Sequence, residues 1–86
     1  MDINQVLEKL QFRFAKTMPE NPHWYTVKTD ELKEEYEYLF NYIWEHGCDE
    51  YWNGRKYRYL VIGDYKYWPM TKCIGDSRII NRKSVE

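Results

Sequence analysis

Residues 56–70, KYRYLVIGDYKYWPM, predict a β-hairpin, and this hairpin decides the fold class. Tyr, Val, Ile and Trp are common on both sides of Gly63-Asp64, and glycine in the first central position suits a type II′ turn. Side chains alternate between the two faces of a strand, so the turn also fixes which residues face each other. The predicted register pairs Ile62 with Tyr65 and Leu60 with Tyr67 on one face, and Tyr59 with Trp68 on the other, which also carries Lys66.

A long amphipathic helix is predicted immediately before this region. Thr29 or Asp30 is suited to cap its first turn, and Gly47 is a natural end. The acidic residues between these limits mostly fall on the opposite side from the apolar ones, which is typical of a solvated helix surface. The apolar stripe consists of Leu32, Tyr36, Leu39, Phe40 and Ile43.

The remaining elements are shorter. Residues 2–10 have the spacing of a two-turn amphipathic helix, and residues 78–82, RIINR, predict a further strand. Phe12-Arg13-Phe14 and Trp24–Val27 are strand candidates whose phenylalanines should contact the core. Asn53-Gly54 is a turn signal that could pair Tyr51-Trp52 with the hairpin. Residues 83–86 are expected to be a frayed tail. The prediction is one α+β domain, residues 1–86: a small, mainly antiparallel sheet with one long helix packed on it and a short N-terminal helix.

The charge of the chain argues against general nucleic-acid binding. The net charge is −1, whereas general nucleic-acid binding rests on many cationic contacts to phosphate. Residues 30–50 hold eight acidic side chains and residues 51–86 hold eight basic ones. A small anionic ligand would favour the basic half. Aromatic residues make up 19% of the chain, so many rings are available for the core or for a binding surface.

Cysteine and histidine usage gives no sign of a metal or a cofactor. Cys48 and Cys73 are not in a CxxC spacing, and with His23 and His46 they show none of the usual paired zinc spacings. No apolar run approaches the roughly 18 residues of a membrane span. The chain also lacks a glycine-rich phosphate loop and a complete catalytic constellation. We therefore expect a soluble cytoplasmic protein, without metal or cofactor.

Cationic residues recur beside aromatic ones in FRF, KYRY, YKYW and INR, and His23 precedes Thr26 by three residues. Such combinations can bind phosphate and stack on a base. The simpler alternatives are cation–π pairs on a sheet surface and a loop histidine that donates to a carbonyl. The candidate phosphate ligands are Arg13, Lys16, Lys66 and Arg82. The candidate stacking rings are Tyr67 and Trp68, and the candidate hydrogen-bonding groups are His23, Tyr25, Thr26 and Asn81.

FRFAKTMPENPHWYT, IGDYKYWPM and RIINR together resemble a small domain of phages and bacteria that occurs alone or beside methyltransferase-like domains. The pattern of that domain resembles FRFAKTMP, PH and YT early, and GYKYW, MG and INR late. This chain departs from it with Asp64, Pro69 and Thr71. In size and character it also resembles phage counter-defence proteins that sequester or destroy nucleotide second messengers. The positions that match are Arg13, Phe14, Lys16, Pro22, His23, Tyr25, Thr26, Tyr65, Lys66, Tyr67, Trp68, Met70, Asn81 and Arg82.

The leading hypothesis is a protein that binds and sequesters a small phosphorylated or cyclic nucleotide, as a phage counter-defence sponge in the host cytoplasm. A chain of 86 residues can hardly enclose such a ligand alone, so we expect a homodimer with the site near its interface. One alternative is a nucleotide phosphodiesterase with His23 as acid/base. Another is a protein-binding inhibitor or accessory module that uses the acidic helix face, residues 31–45. The nucleotide hypothesis expects Arg13, His23, Lys66 and Arg82 to converge on one concave surface.

Overall fold

The structure is a computed structural model that describes residues 2–14, 24–28, 31–69 and 79–85, without the side chains of Trp24 and Lys28. The predicted site residues Lys16 and His23 lie outside the described residues. The elements in chain order are α1 (Ile3–Lys9), β1 (Arg13–Phe14), β2 (Trp24–Lys28), α2 (Lys33–His46), β3 (Cys48–Trp52), β4 (Arg55–Ile62), β5 (Tyr65–Pro69) and β6 (Ile79–Ser84).

The strands form one antiparallel sheet in the order β1-β2-β6-β5-β4-β3, so the predicted α+β class is confirmed. The last strand, β6, lies in the middle of the sheet between β2 and β5. It therefore joins the N-terminal strands to the hairpin. Within the tail expected at residues 83–86, residues 83–85 are instead paired: Ser84 is the register partner of Tyr65, and the Val85 amide donates to the Asp64 carbonyl. Glu86 lies outside the described residues.

Both turns of the C-terminal half have the expected backbone. Asn53 and Gly54 have φ values of 50° and 76°, as a type I′ turn requires, and they join β3 to β4. Gly63 has φ 61°, and the β4–β5 register pairs Ile62 with Tyr65 as predicted. Local turn chemistry thus sets the alternation of side chains along three consecutive strands.

The described helix ends are as follows. Asp2 caps α1 in a capping box with Gln5. Helix α2 begins at Lys33, after Leu32, and the predicted cap residues Thr29 and Asp30 lie outside the described residues. Gly47 does end α2. A β-carbon there would overlap the backbone carbonyls of Ile43 and Tyr59, so the junction between α2 and β3 requires glycine.

Helix α2 packs its predicted stripe against one side of the sheet, which we call the helix face. Tyr36, Leu39 and Ile43 are buried, whereas Leu32 and Phe40 are half-buried against the same core. Phe12 packs on this core, but Phe14 is 62% exposed, so its predicted role in the core is wrong. The buried apolar residues among those described are Val6, Leu10, Val27, Tyr36, Leu39, Ile43, Tyr67 and Ile80. Within the described part of the chain, no helix has the length and apolarity to cross a membrane.

Candidate functional site

The motifs FRF, WYT, YKYW and INR lie on four adjacent strands and are aligned with one another. Register partners in neighbouring strands point to the same face, so these motifs form two transverse rows of side chains. The row on the helix face contains Phe14, Tyr25, Arg82 and Tyr67. The row on the opposite side, which we call the far face, contains Arg13, Thr26, Asn81 and Trp68.

This alternation divides the predicted site. Tyr25, Tyr67 and Arg82 belong to the helix face. Lys66 is next to Tyr67 in sequence and therefore joins the far face, with the row that begins at Arg13. The single concave surface expected to hold both Lys66 and Arg82 is thus replaced by two surfaces on opposite sides of the same strands.

On the helix face, the Arg82 guanidinium lies among three aromatic rings. Its central carbon is 4.1 Å from the ring centroid of Tyr65, 4.3 Å from that of Phe12 and 4.9 Å from that of Tyr25. One terminal nitrogen donates to the Tyr67 hydroxyl at 3.4 Å. We call these five residues the Arg82 cluster. Ring faces attract a cation, but they accept few of the hydrogen bonds that a guanidinium can donate.

The charge of Arg82 is not neutralised by any described carboxylate. Within residues 2–14, 24–28, 31–69 and 79–85, no Asp or Glu oxygen approaches its guanidinium within 4 Å, and its buried Nε has no hydrogen-bond acceptor. Burial raises the pKa of Tyr67, while the hydrogen bond and charge of Arg82 act in the opposite direction. Arg82 is thus a half-buried cation that still has donors available for an anion.

An exposed ring lies beside this cation. The ring centroids of Phe14 and Tyr25 are 4.6 Å apart, with 30° between the ring planes. Phe14 is 62% exposed, so it offers apolar surface next to the Arg82 cluster. Tyr67 is only 2% exposed, which leaves its predicted role as a stacking ring without an accessible ring face. The predicted ligand set omitted Phe12, Phe14 and Tyr65. The FRF and YKYW patterns could have identified them through the alternation of side chains around Arg82.

On the far face, Lys66 is already neutralised. Its ammonium lies 2.7 Å from the Glu50 carboxylate and 3.0 Å from the Tyr57 hydroxyl, which in turn donates to Glu50 at 2.5 Å. The Tyr59 ring lies 4.4 Å below the ammonium. The hydrogen bond from Lys66 lowers the pKa of Glu50. Burial opposes the charged form of Lys66, but its bonds to Glu50 and Tyr57 outweigh burial and raise its pKa.

A second neutralised cation, Arg58, lies on the helix face, at the end of the sheet away from the Arg82 cluster. Arg58 donates to the Asp49 carboxylate at 3.0 Å and to the Trp44 carbonyl at 2.9 Å. Lys56 lies 3.3 Å from the same carboxylate. These contacts, the bond from Arg58 first, lower the pKa of Asp49. Two acids of β3 therefore neutralise three bases of β4 and β5.

The far face contains the one buried polar residue among those described, Asn81, which is 9% exposed. It lies in register between Thr26 and Trp68. Asn81 and Arg82 are adjacent in sequence, yet one side chain points to each face. No group of three or more His, Cys, Asp and Glu residues in the described part of the chain is arranged to hold a metal ion.

The fold and the site together define a small α+β domain with a half-buried, unneutralised arginine on the helix face of its sheet. No protein-family model, curated protein or solved structure matches the chain.

Proposed function

We propose that this protein binds and sequesters a small phosphorylated or cyclic nucleotide at the Arg82 cluster. The observation that carries the proposal is that Arg82 has ring faces around it and no described carboxylate beside its terminal N–H groups, one of which donates to the Tyr67 hydroxyl. Phosphate and carboxylate oxygens are the acceptors that match such a planar, charged donor, and a nucleotide supplies the former.

The neighbouring exposed ring supports an aromatic group on the ligand. A base stacked on Phe14 would lie next to a phosphate held by Arg82, with the half-buried Tyr25 between them. Base–aromatic stacking contributes about 1 to 3 kcal/mol per base. In this arrangement the base stacks on Phe14, whereas the sequence predicts stacking on Tyr67 or Trp68. Lys16 and His23 remain predictions, and the role in phage counter-defence rests on a resemblance in size and character alone.

Binding is tested by thermal shift and calorimetry with cyclic dinucleotides, ADP-ribose derivatives and AMP. We expect Arg82→Gln to weaken binding about tenfold or more, because a charge-assisted hydrogen bond contributes about 1.5 to 3 kcal/mol. The matched control is Arg13→Gln, which removes an exposed arginine from the far face and should bind as the wild type does. The proposal is refuted if no nucleotide shifts the melting temperature, or if Arg82→Gln binds normally.

A second variant separates base from phosphate. Phe14→Ala should weaken nucleotide binding roughly 5- to 150-fold, the equivalent of the stacking energy, and leave ribose 5-phosphate binding unchanged. Equal loss for both ligands would show that Phe14 does not stack on a base. Recovery of intact nucleotide after heat denaturation of the complex indicates sequestration. New products that disappear in His23→Ala would indicate the phosphodiesterase alternative instead.

A further inference from the structure

The two edges of the sheet differ in how they are protected against pairing with another strand. Strand β1 is only two residues long, and a short edge strand offers little to pair with. Strand β3 is five residues long, and all five are exposed. Tyr51 is 73% exposed and Trp52 65% exposed. β3 contains no Lys, no Pro and no bulge in its register with β4, which are the usual protective features of an edge.

The direction of the free backbone groups of β3 follows from the hairpin that β3 forms with β4. Trp52 and Arg55 flank a two-residue turn, so they form a hydrogen-bonded pair, and alternate residues of β3 also bond to β4. The N–H and C=O groups of Asp49 and Tyr51 therefore point away from β4. Neither residue has a backbone partner on that side within the described part of the chain.

The acidic side chains of β3 do not prevent a second copy from approaching. Asp49 is neutralised by Arg58 and Lys56, and Glu50 by Lys66, all within one chain. An edge strand with outward backbone donors and acceptors, exposed rings and internally balanced charge fits an antiparallel copy of itself.

We propose that two copies of this chain pair through their β3 edges, with the two-fold axis at Tyr51. The free N–H and C=O groups of β3 belong to residues 49 and 51. Two antiparallel copies of β3 can therefore pair only with their two-fold axis at residue 49, 50 or 51. The first two place an ion-paired side chain, Asp49 or Glu50, directly opposite itself and add no favourable cross-strand contact, whereas an aromatic pair directly opposite stabilises a sheet. The third places two Tyr51 rings together on the helix face and Trp52 against Glu50 of the partner subunit on the far face.

This dimer is independent of the proposed ligand site. The Arg82 cluster lies at the β1-β2-β6 end of the sheet, and β3 forms the other edge. Pairing therefore extends the sheet across both copies and leaves both clusters accessible. The sequence predicts a homodimer with the ligand site near its interface. The dimer proposed here is also a homodimer, but its interface lies away from the ligand site.

Association is tested by sedimentation over a concentration series up to about 1 mM, because one pair of short edge strands is a small contact, and interfaces below roughly 1,200 Å² are typically weak. We expect dimers near 100 μM or above, on the order expected for a small, transient interface. Tyr51→Lys should raise the dimer dissociation constant about tenfold or more by placing like charges at the axis. Val85→Lys, which changes an exposed apolar residue elsewhere, should not. A wild type that stays monomeric, or a dimer unaffected by Tyr51→Lys, overturns the proposal.

The register is tested by single cysteines in a Cys48→Ser, Cys73→Ser background. At the axis, the two Tyr51 α-carbons would be about 5.5 Å apart, within disulfide reach. The two Trp52 residues would lie farther apart. They are offset by two positions, about 6.8 Å, along the strands, in addition to the gap between the strands. Under mild oxidation Tyr51→Cys should cross-link at least about tenfold faster than Trp52→Cys. Preferential cross-linking of Trp52→Cys would overturn the proposed axis.

Discussion

The two ends of this sheet treat positive charge in opposite ways. At the β3–β4 end, Arg58 and Lys66 each lie against a carboxylate at 3.0 Å or less. At the β1-β2-β6 end, Arg82 lies against aromatic rings and no described carboxylate. A cationic residue in a sequence is therefore not yet a cation that is available to a ligand. Availability depends on which carboxylate the fold brings beside it, and here the acids of β3 neutralise the bases of β4 and β5.

The largest expected effect on the free energy of unfolding comes from two tyrosines, Tyr67 beside Arg82 and Tyr57 beside Lys66. Tyr67 is 2% exposed and lies in the core, whereas Tyr57 is half-buried in the Lys66 network. Tyr67→Ala should lower the free energy of unfolding by about 3 to 5 kcal/mol, as large-to-small core substitutions do. Tyr57→Ala should cost about 1 kcal/mol. Urea denaturation measures both, and equal losses would contradict the distinction between a core-anchored and a peripheral cluster.

The next effect tests how rigidly the ion-paired end is joined to α2. Gly47→Ala places a β-carbon against the Ile43 and Tyr59 carbonyls, so we expect a loss of about 1 to 3 kcal/mol from overpacking. Gly54→Ala is the control. Open space surrounds Gly54, and only its φ of 76° is unfavourable for alanine, at about 1 to 2 kcal/mol. The two variants are compared by denaturation and by amide exchange of β3. Unchanged β3 protection in Gly47→Ala would show that the junction tolerates a side chain.

A smaller effect compares the cations themselves. Arg58→Met loses the hydrogen bond to the Trp44 carbonyl, so stability should fall by about 1 kcal/mol. Arg82→Met should change stability by less than about 0.5 kcal/mol, because methionine keeps contact with the rings and no described carboxylate loses its partner. Thermal denaturation of the ligand-free protein decides between them. A loss in Arg82→Met as large as in Arg58→Met would mean that Arg82 has mainly a structural role.

The smallest effect is the pH dependence of the ion-paired end. The pKa values of Asp49 and Glu50 are lowered in the folded chain. Their stabilisation is therefore complete above the unfolded carboxyl pKa values, near 4, and is lost as pH falls through the lowered ones. Glu50→Gln should reduce the loss of stability on acidification and leave nucleotide binding at neutral pH unchanged. An acid transition identical to that of the wild type would show that Glu50 contributes nothing to it.

Local patterns predicted most of the fold because they act over a few residues. The stripe of α2, its end at Gly47 and the turns at Asn53-Gly54 and Gly63-Asp64 all depend on neighbours in sequence. The position of β6 between β2 and β5 depends on pairing between distant segments, which no local pattern encodes.

The candidate site was predicted less completely for a related reason. The sequence predicts which motifs carry the candidate site residues, and the structure aligns FRF, WYT, YKYW and INR on four adjacent strands. Their division between two faces depends on the register of β6 against its neighbours, since a shift of one residue exchanges the faces. The neutralisation of Lys66 depends on a carboxylate sixteen residues away in β3.

The central position of β6 also limits how its segment can change during evolution. An insertion of one residue between Ile79 and Asn81 would exchange the faces of Asn81 and Arg82, moving the guanidinium away from its rings. An insertion of two residues would restore the faces but shift both rows along the strand. Substitutions that keep Arg82 can therefore accumulate within INR more readily than length changes. Among sequences that share this fold, we expect the spacing of this tripeptide from the strand ends to vary less than the residues beside Arg82.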